Sequence, residues 1–246
     1  SGAGFNHASR MNWPLSPLLV SRLAKRQLIF INASPHLCKN WLSNLKGHLA
    51  MTRAIKMLLT SMASECRKSD LAICQTLSSA FDAFAATRIE LLPLSPKAVQ
   101  NSKNIMAHAC SETASNHITI VRQCAANLAW RKPGFGLVPD AVIAHMDVCE
   151  IIGPSGQIRD ESIRAGLLFQ DANVLYPRHS HAAEEIYFPL SGQAAWQTDD
   201  DDWRLHAPGD VIHHLPFQPH AIKTRTMPLL AFWGWAGDIS ADSYRI

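Results

Sequence analysis

The chain has 246 residues, 47% of them hydrophobic and 17% charged, enough for one large or two modest globular domains with a proper core. Its 23 Lys and Arg face 20 Asp and Glu, a net charge of +3 without the dense basic stripe that neutralises a phosphate backbone, so no nucleic acid partner is expected. Six cysteines (Cys38, Cys66, Cys74, Cys110, Cys124, Cys149) are scattered with no CxxC pair and read as reduced thiols of a cytoplasmic protein.

Residues 1–10, ahead of Met11, read as an expression remnant and stay outside the fold reasoning. The apolar stretch from Leu15 to Ala33 carries Arg22, Lys25 and Arg26, which are costly inside a bilayer, and lacks a signal-peptide cleavage pattern. It reads as a surface-docked helix, and no membrane association is expected. From 11 to 130 the pattern is helical. Ala54, Ile55, Met57, Leu58 and Leu59, then Leu71, Ile73, Cys74, Leu77, Phe81 and Phe84, recur at three- and four-residue spacings with polar residues between them, as in an amphipathic bundle. Breaks fall at Ser34-Pro35, at Ser69-Asp70, which reads as an N-cap, and at Leu92-Pro93-Leu94-Ser95-Pro96; Lys97 to Trp130 supplies one or two further helices.

The character changes at Arg131-Lys132-Pro133-Gly134-Phe135-Gly136, and 131–246 forms the second domain. Short strand-like runs follow: Val142–Ile152, Ile163–Phe169, Val174–His181, Glu185–Leu190, Ala194–Thr198, Trp203–His206, Val211–Leu215, His220–Thr224 and Leu229–Trp235. Turn residues separate them. The fold class is therefore α+β, an N-terminal helical bundle packed on a C-terminal all-β barrel or sandwich, and the bundle's apolar surface also offers a homodimer interface. Asp199 to Asp202 reads as a solvated hairpin turn, because a calcium loop would alternate its oxygen ligands around a central Gly.

One run concentrates ligand-type side chains: Tyr176-Pro177-Arg178-His179-Ser180-His181, then Glu185 and Tyr187, with His220 downstream. Residues two apart in an extended strand share a face, so His179 with His181, and Glu185 with Tyr187, can converge. Three imidazoles and one carboxylate suit one divalent transition metal (Fe, Mn, Zn, Ni or Co) and leave coordination positions open for a substrate. Strand parity turns Glu184 away from Glu185. Of the adjacent His213 and His214 one faces inward as a substrate-orienting group, here taken as His214.

His179-x-His181-x-x-x-Glu185-x-x-x-x-x-x-Gly192 resembles the first cupin motif, and Pro208-Gly209-Asp210 through Pro216 to His220 resembles the second, its last histidine one residue early. The resemblance covers about Gly134 to Asp238 and implies a double-stranded β-helix barrel. With Tyr187 two residues after Glu185 and His220 in a Pro-rich setting, the pattern is similar to the dimethylsulfoniopropionate (DMSP) lyases, most like the DddL branch within the DddL/DddQ/DddK/DddW/DddY group. That resemblance implies His179, His181, Glu185 and His220 as metal ligands and Tyr187 as the base of a β-elimination that yields dimethyl sulfide and acrylate. The sulfonium needs aromatic faces, for which Tyr176 and Trp233 are chosen from a set that includes Phe188, Trp196, Phe232 and Trp235; Arg178 is the expected partner of the substrate carboxylate. Two other functions suit the same ligands: an Fe(II) cupin oxygenase or isomerase, whose mark is a need for dioxygen, and a non-catalytic effector-binding module, which lacks a basic recognition helix here.

Overall fold

The computed structural model describes residues 35–87 and 116–246. The expectations for Leu15–Ala33, for the break at Leu92–Pro96 and for 97–115, with Cys110 and the side chain of Cys38, lie outside the described residues. The chain divides into two compact units, Ser1–His48 and Leu49–Ile246. In the first, the described residues belong to helix α1 (Pro35–Cys66).

In the second unit α1 is followed by α2 (Ala72–Ala86), α3 (Asn116–Cys124) and the one-turn α4 (Asp140–Ile143). Among its described residues are ten strands: β1 (Trp130–Arg131), β2 (Met146–Ile152), β3 (Arg164–Gln170), β4 (Leu175–His179), β5 (Ala183–Ser191), β6 (Ala194–Thr198), β7 (Arg204–His206), β8 (Ile212–His214), β9 (His220–Thr224) and β10 (Leu229–Gly237). They form a six-stranded sheet in the order β1-β2-β3-β10-β5-β8 and a four-stranded sheet in the order β4-β9-β6-β7, every pair antiparallel. Among the described residues no helix is long and apolar enough to cross a membrane.

Side-chain period explains why the six-stranded sheet reads as nearly continuous apolar runs. Ile186, Phe188 and Leu190 of β5, with Leu230 and Phe232 of β10, belong to a core shared with α1, α2 and α3. Tyr187 of β5, with Ala231, Trp233 and Trp235 of β10, belongs to a second core between the sheets. Successive residues point to opposite faces, so a strand covered by helices outside and by a second sheet inside must be apolar on both. Phe188 and Phe232 thus turn to the helices, and Phe81 of α2 meets Phe232 edge-on at 5.5 Å between ring centres. Neither faces the second core, so both leave the set of aromatic residues expected around a sulfonium.

Helix α2 seats on β10 through a hollow. A Cβ added at Gly234 would lie 2.8 Å from Leu77 Cδ1, so the missing side chain lets the fully buried Leu77 approach the sheet between Trp233 and Trp235. The helix begins at Ala72 with Leu71 as its cap residue; Ser69, expected to cap, instead accepts the Leu71 N–H at 3.3 Å. Gly192, the last glycine of the motif, takes the left-handed φ of 77° after β5.

Several boundaries differ from the sequence reading, and three of them matter most. Trp130 leaves the helical region and, with Arg131, pairs with Cys149 and Val148 of β2. Residues 142–145 are not strand, because Asp140–Ile143 makes a helical turn ahead of β2. Strand β4 stops at His179: Ser180 leaves the β9 edge and bridges Arg245. The free cysteines among the described residues are Cys66, Cys74, Cys124 and Cys149, all buried.

Candidate active site

The ligand-type residues meet between the two sheets. His179 ends β4, His181 lies in the link to β5, Glu185 is on β5 and His220 opens β9, directly opposite His179 in register. A bulge between Tyr176 and His179 brings these two, three apart in sequence, to the same cavity. All four candidate ligands are nearly fully buried, 1–3% exposed.

Second partners fix the histidine tautomers. His179 Nδ1 lies 2.8 Å from Pro177 O, His181 Nδ1 3.0 Å from Ala183 O and His220 Nδ1 2.9 Å from Gln218 O. A carbonyl oxygen only accepts, so each Nδ1 carries a hydrogen and each ring turns its Nε2 inward. One ligand-type nitrogen from each ring falls within 4.8 Å of the other two. Glu185 Oε2 lies 3.1 Å from both His181 Nε2 and His220 Nε2. His220 Nε2, despite that distance, is out of line for a hydrogen bond and is left without a donor or acceptor partner. Converging lone pairs around a buried carboxylate repel one another unless a positive charge sits among them. The residues therefore fit a divalent metal, with outward-facing Nδ1–H bonds of the kind that orient metal-bound imidazoles.

Electrostatics agrees. Burial and the nearby His220 charge hold His179 well below the ordinary histidine range, as a neutral ligand must be. Burial opposes ionisation of Glu185, but His181 and His220 outweigh it and keep the carboxyl well below the usual carboxylate range. Trp235 Nε1–H donates to Glu185 Oε1 at 2.6 Å, and its ring lies 4.0 Å from that of His181.

Tyr187 is buried beside this group and lines the same cavity as Glu185. Burial, then the Glu185 charge, pushes its phenol well above the ordinary tyrosine range. Its ring neighbours are Trp196 at 6.0 Å and His214 at 6.2 Å. His214 faces inward as parity allows, stacked on His220 at 4.0 Å with an interplanar angle of 6°; burial lowers its pKa to about 2. His213 and Glu184 face the other way and bond each other at 2.7 Å.

A small cavity of about 40 Å³ opens in front of His179, Glu185 and Tyr187. Tyr176, Trp233, Trp235 and Tyr244 supply most of its aromatic wall. Tyr176 stacks on His179 at 4.2 Å, and its hydroxyl meets that of Tyr244 at 2.7 Å. Burial raises the Tyr176 phenol; the Tyr244 hydrogen bond and the Arg131 charge pull the other way. The chosen pair Tyr176 and Trp233 thus lines the cavity. Arg178 does not: the β4 bulge turns it to the surface, where it bonds Asp199 O at 2.6 Å and Asp200 at 2.9 Å. That places it beside the β6–β7 turn formed by the acidic run, away from a substrate carboxylate.

Sequence reasoning missed three contributors. Trp235 was passed over for Trp233, although period 2 puts both on the cavity face. Arg131 was read as a domain junction but lines the cavity. Tyr244 arrives with a C-terminal clip: Ser180 N–H donates to Arg245 O at 3.0 Å, Arg245 N–H to Ser180 O at 2.9 Å, and Ala182 N–H to Ser243 Oγ at 2.9 Å. No local pattern announces it.

A family profile, that of the dimethylsulfoniopropionate lyases, matches residues 93–231, more than half of the chain. The chain belongs to the DMSP lyase family. It is 37% identical over 89 residues to the dimethylsulfoniopropionate lyase DddQ of Ruegeria pomeroyi, covering 36% of this chain and 44% of that protein. It is 36% identical over 115 residues to a putative dimethylsulfoniopropionate lyase DddL of Cereibacter sphaeroides, covering 46% and 47%. The alignments thus span less than half the length of either curated relative. The crystal structure of DddQ from Ruegeria pomeroyi superposes with a TM-score of 0.60 at 25% identity, over 76% of this chain and 93% of that one. The fold class is the expected one, helices on a cupin barrel. DMSP lyase family membership reaches back to residue 93 and so takes in part of the helical region, which the cupin motifs alone left unaccounted for.

Proposed function

We propose that this protein is a metal-dependent DMSP lyase that releases dimethyl sulfide and acrylate by a β-elimination begun at Tyr187. One observation carries the reading: three imidazoles, each held through Nδ1 by a carbonyl oxygen, converge with Glu185 at a cavity that the buried Tyr187 also lines. Family membership supports it.

His179, His181, Glu185 and His220 would hold one divalent transition metal, whose charge, when bound, favours the ionised phenol and the developing negative charge on the substrate. Tyr187, as phenolate, takes the proton from the carbon next to the carboxylate. The C–H pair becomes the new C=C bond, the carbon–sulfur bond breaks, and its electrons leave on sulfur as neutral dimethyl sulfide. The leaving group needs no acid. Tyr187 must then return its proton to solvent; burial and the Glu185 charge raise the pKa of the metal-free phenol, so the cation's charge is what would favour its ionised form. Trp233, Trp235, Tyr176 and Tyr244 exclude water and offer ring faces to the sulfonium.

The test is headspace detection of dimethyl sulfide from the purified, metal-loaded protein given DMSP. Production that chelation abolishes and strict anaerobiosis leaves intact is expected. Absence of dimethyl sulfide sinks the reading, and a need for dioxygen transfers the protein to the oxygenases.

A further inference from the structure

The substrate proposed above is a zwitterion, and its carboxylate end calls for a cationic partner at the cavity. Of the residues lining the cavity, Arg131 is the one with a cationic side chain other than imidazole. It reaches the wall from β1, in register with Val148, which lines the same cavity.

Its surroundings leave that charge uncompensated. The buried Glu150 carboxylate sits between two guanidiniums: Oε2 accepts from Arg164 Nη1 at 3.0 Å and from Arg131 Nη2 at 3.2 Å, and Oε1 accepts Ser155 N–H at 2.9 Å. Two positive groups against one negative leave a surplus of one. Arg164 is 8% exposed and also donates Nε–H to Ile239 O at 2.9 Å, so it is committed to the structure. Arg131 is 35% exposed, and its hydrogen bonds, 3.2 Å to Glu150 and 3.3 Å to Lys132 O, sit at the long end of the range. Three of its five N–H donors remain for a ligand. Phe135, held at φ 51°, lies under both guanidiniums, 5.2 Å from Arg131 Cζ and 5.6 Å from Arg164 Cζ, and keeps the fork against the wall.

We propose that Arg131 is the substrate-binding residue that selects and orients the carboxylate end of the substrate, the role that the surface position of Arg178 rules out for that residue. A planar fork matches a carboxylate, and the same charge repels a sulfonium, so one side chain sorts the two ends of the molecule. The inference rests on the lyase reading for its substrate, but the site it describes is one for small carboxylates in general.

Steady-state kinetics and acrylate binding by calorimetry on the metal-loaded wild type, Arg131→Gln and Arg131→Lys test it. For Arg131→Gln, KM for DMSP and Kd for acrylate rise by about ten- to a hundredfold, the range for a lost charge-assisted hydrogen bond, while kcat and metal content change little. Arg131→Lys recovers part of the loss. If wild type releases no dimethyl sulfide, the lyase reading fails, and the acrylate titrations still decide the carboxylate site. Unchanged KM and acrylate Kd in Arg131→Gln overturn the proposal; should that variant misfold, the same measurements on Arg131→Lys, with its shorter unforked cation, decide it.

Discussion

The seam between α2 and β10 yields a prediction with a sign that additive reasoning gets wrong. Leu77→Ala empties a fully buried position, for which about 2.7–5.0 kcal/mol of stability is expected to be lost. Gly234→Ala puts a methyl 2.8 Å from Leu77 Cδ1, tighter than real Cβ contacts allow, and about 1–3 kcal/mol of overpacking follows. In the double variant the new methyl faces space that the leucine vacated. The clash disappears and part of the cavity is filled, so the double variant is more stable than the sum of the single losses by about 0.5–3 kcal/mol. Urea denaturation of the four proteins, with common m-values, measures this coupling. Strict additivity would refute the claim that Gly234 exists to admit Leu77.

Three further outcomes follow from the site. Tyr187→Phe loses dimethyl sulfide production yet binds metal as wild type does, read by metal analysis; retained turnover would remove Tyr187 as base. Trp235→Phe removes the 2.6 Å donor to Glu185 and weakens metal binding by about 10–100-fold in a calorimetric titration of the chelated protein, whereas unchanged affinity would deny that donor an orienting role. The metal-free protein loses stability in acid partly through His214. Between its folded value of about 2 and the ordinary histidine value of about 6.5 only the unfolded chain binds that proton, so stability falls as pH drops below about 6.5. The slope approaches about 1.4 kcal/mol per pH unit near pH 5, and His214→Phe should be flatter by that amount across denaturation curves.

Much of this molecule can be read from residue order, and the exceptions share a cause. The His179–Glu185–Tyr187 spacing is local, and strand period alone predicts which of Glu184 and Glu185, or His213 and His214, turns inward. The helical seam was visible as three- and four-residue spacing through Leu77 and Phe81. Arg178 was misplaced because parity assumes an unbroken strand, and the bulge after Tyr176 breaks it. Trp130 was given to the helices because a two-residue edge strand has no period to detect. Arg131 and Tyr244 act at the cavity through pairing with distant segments, and no window along the chain holds both partners.

The bridge between Ser180 and Arg245 also sets a schedule. Residues 240–245 come after every candidate ligand in the order of synthesis, so the imidazoles leave the ribosome before the segment that braces their loop. The loop of residues 180–182 therefore reaches its observed form only once residues 243–245 have docked against it.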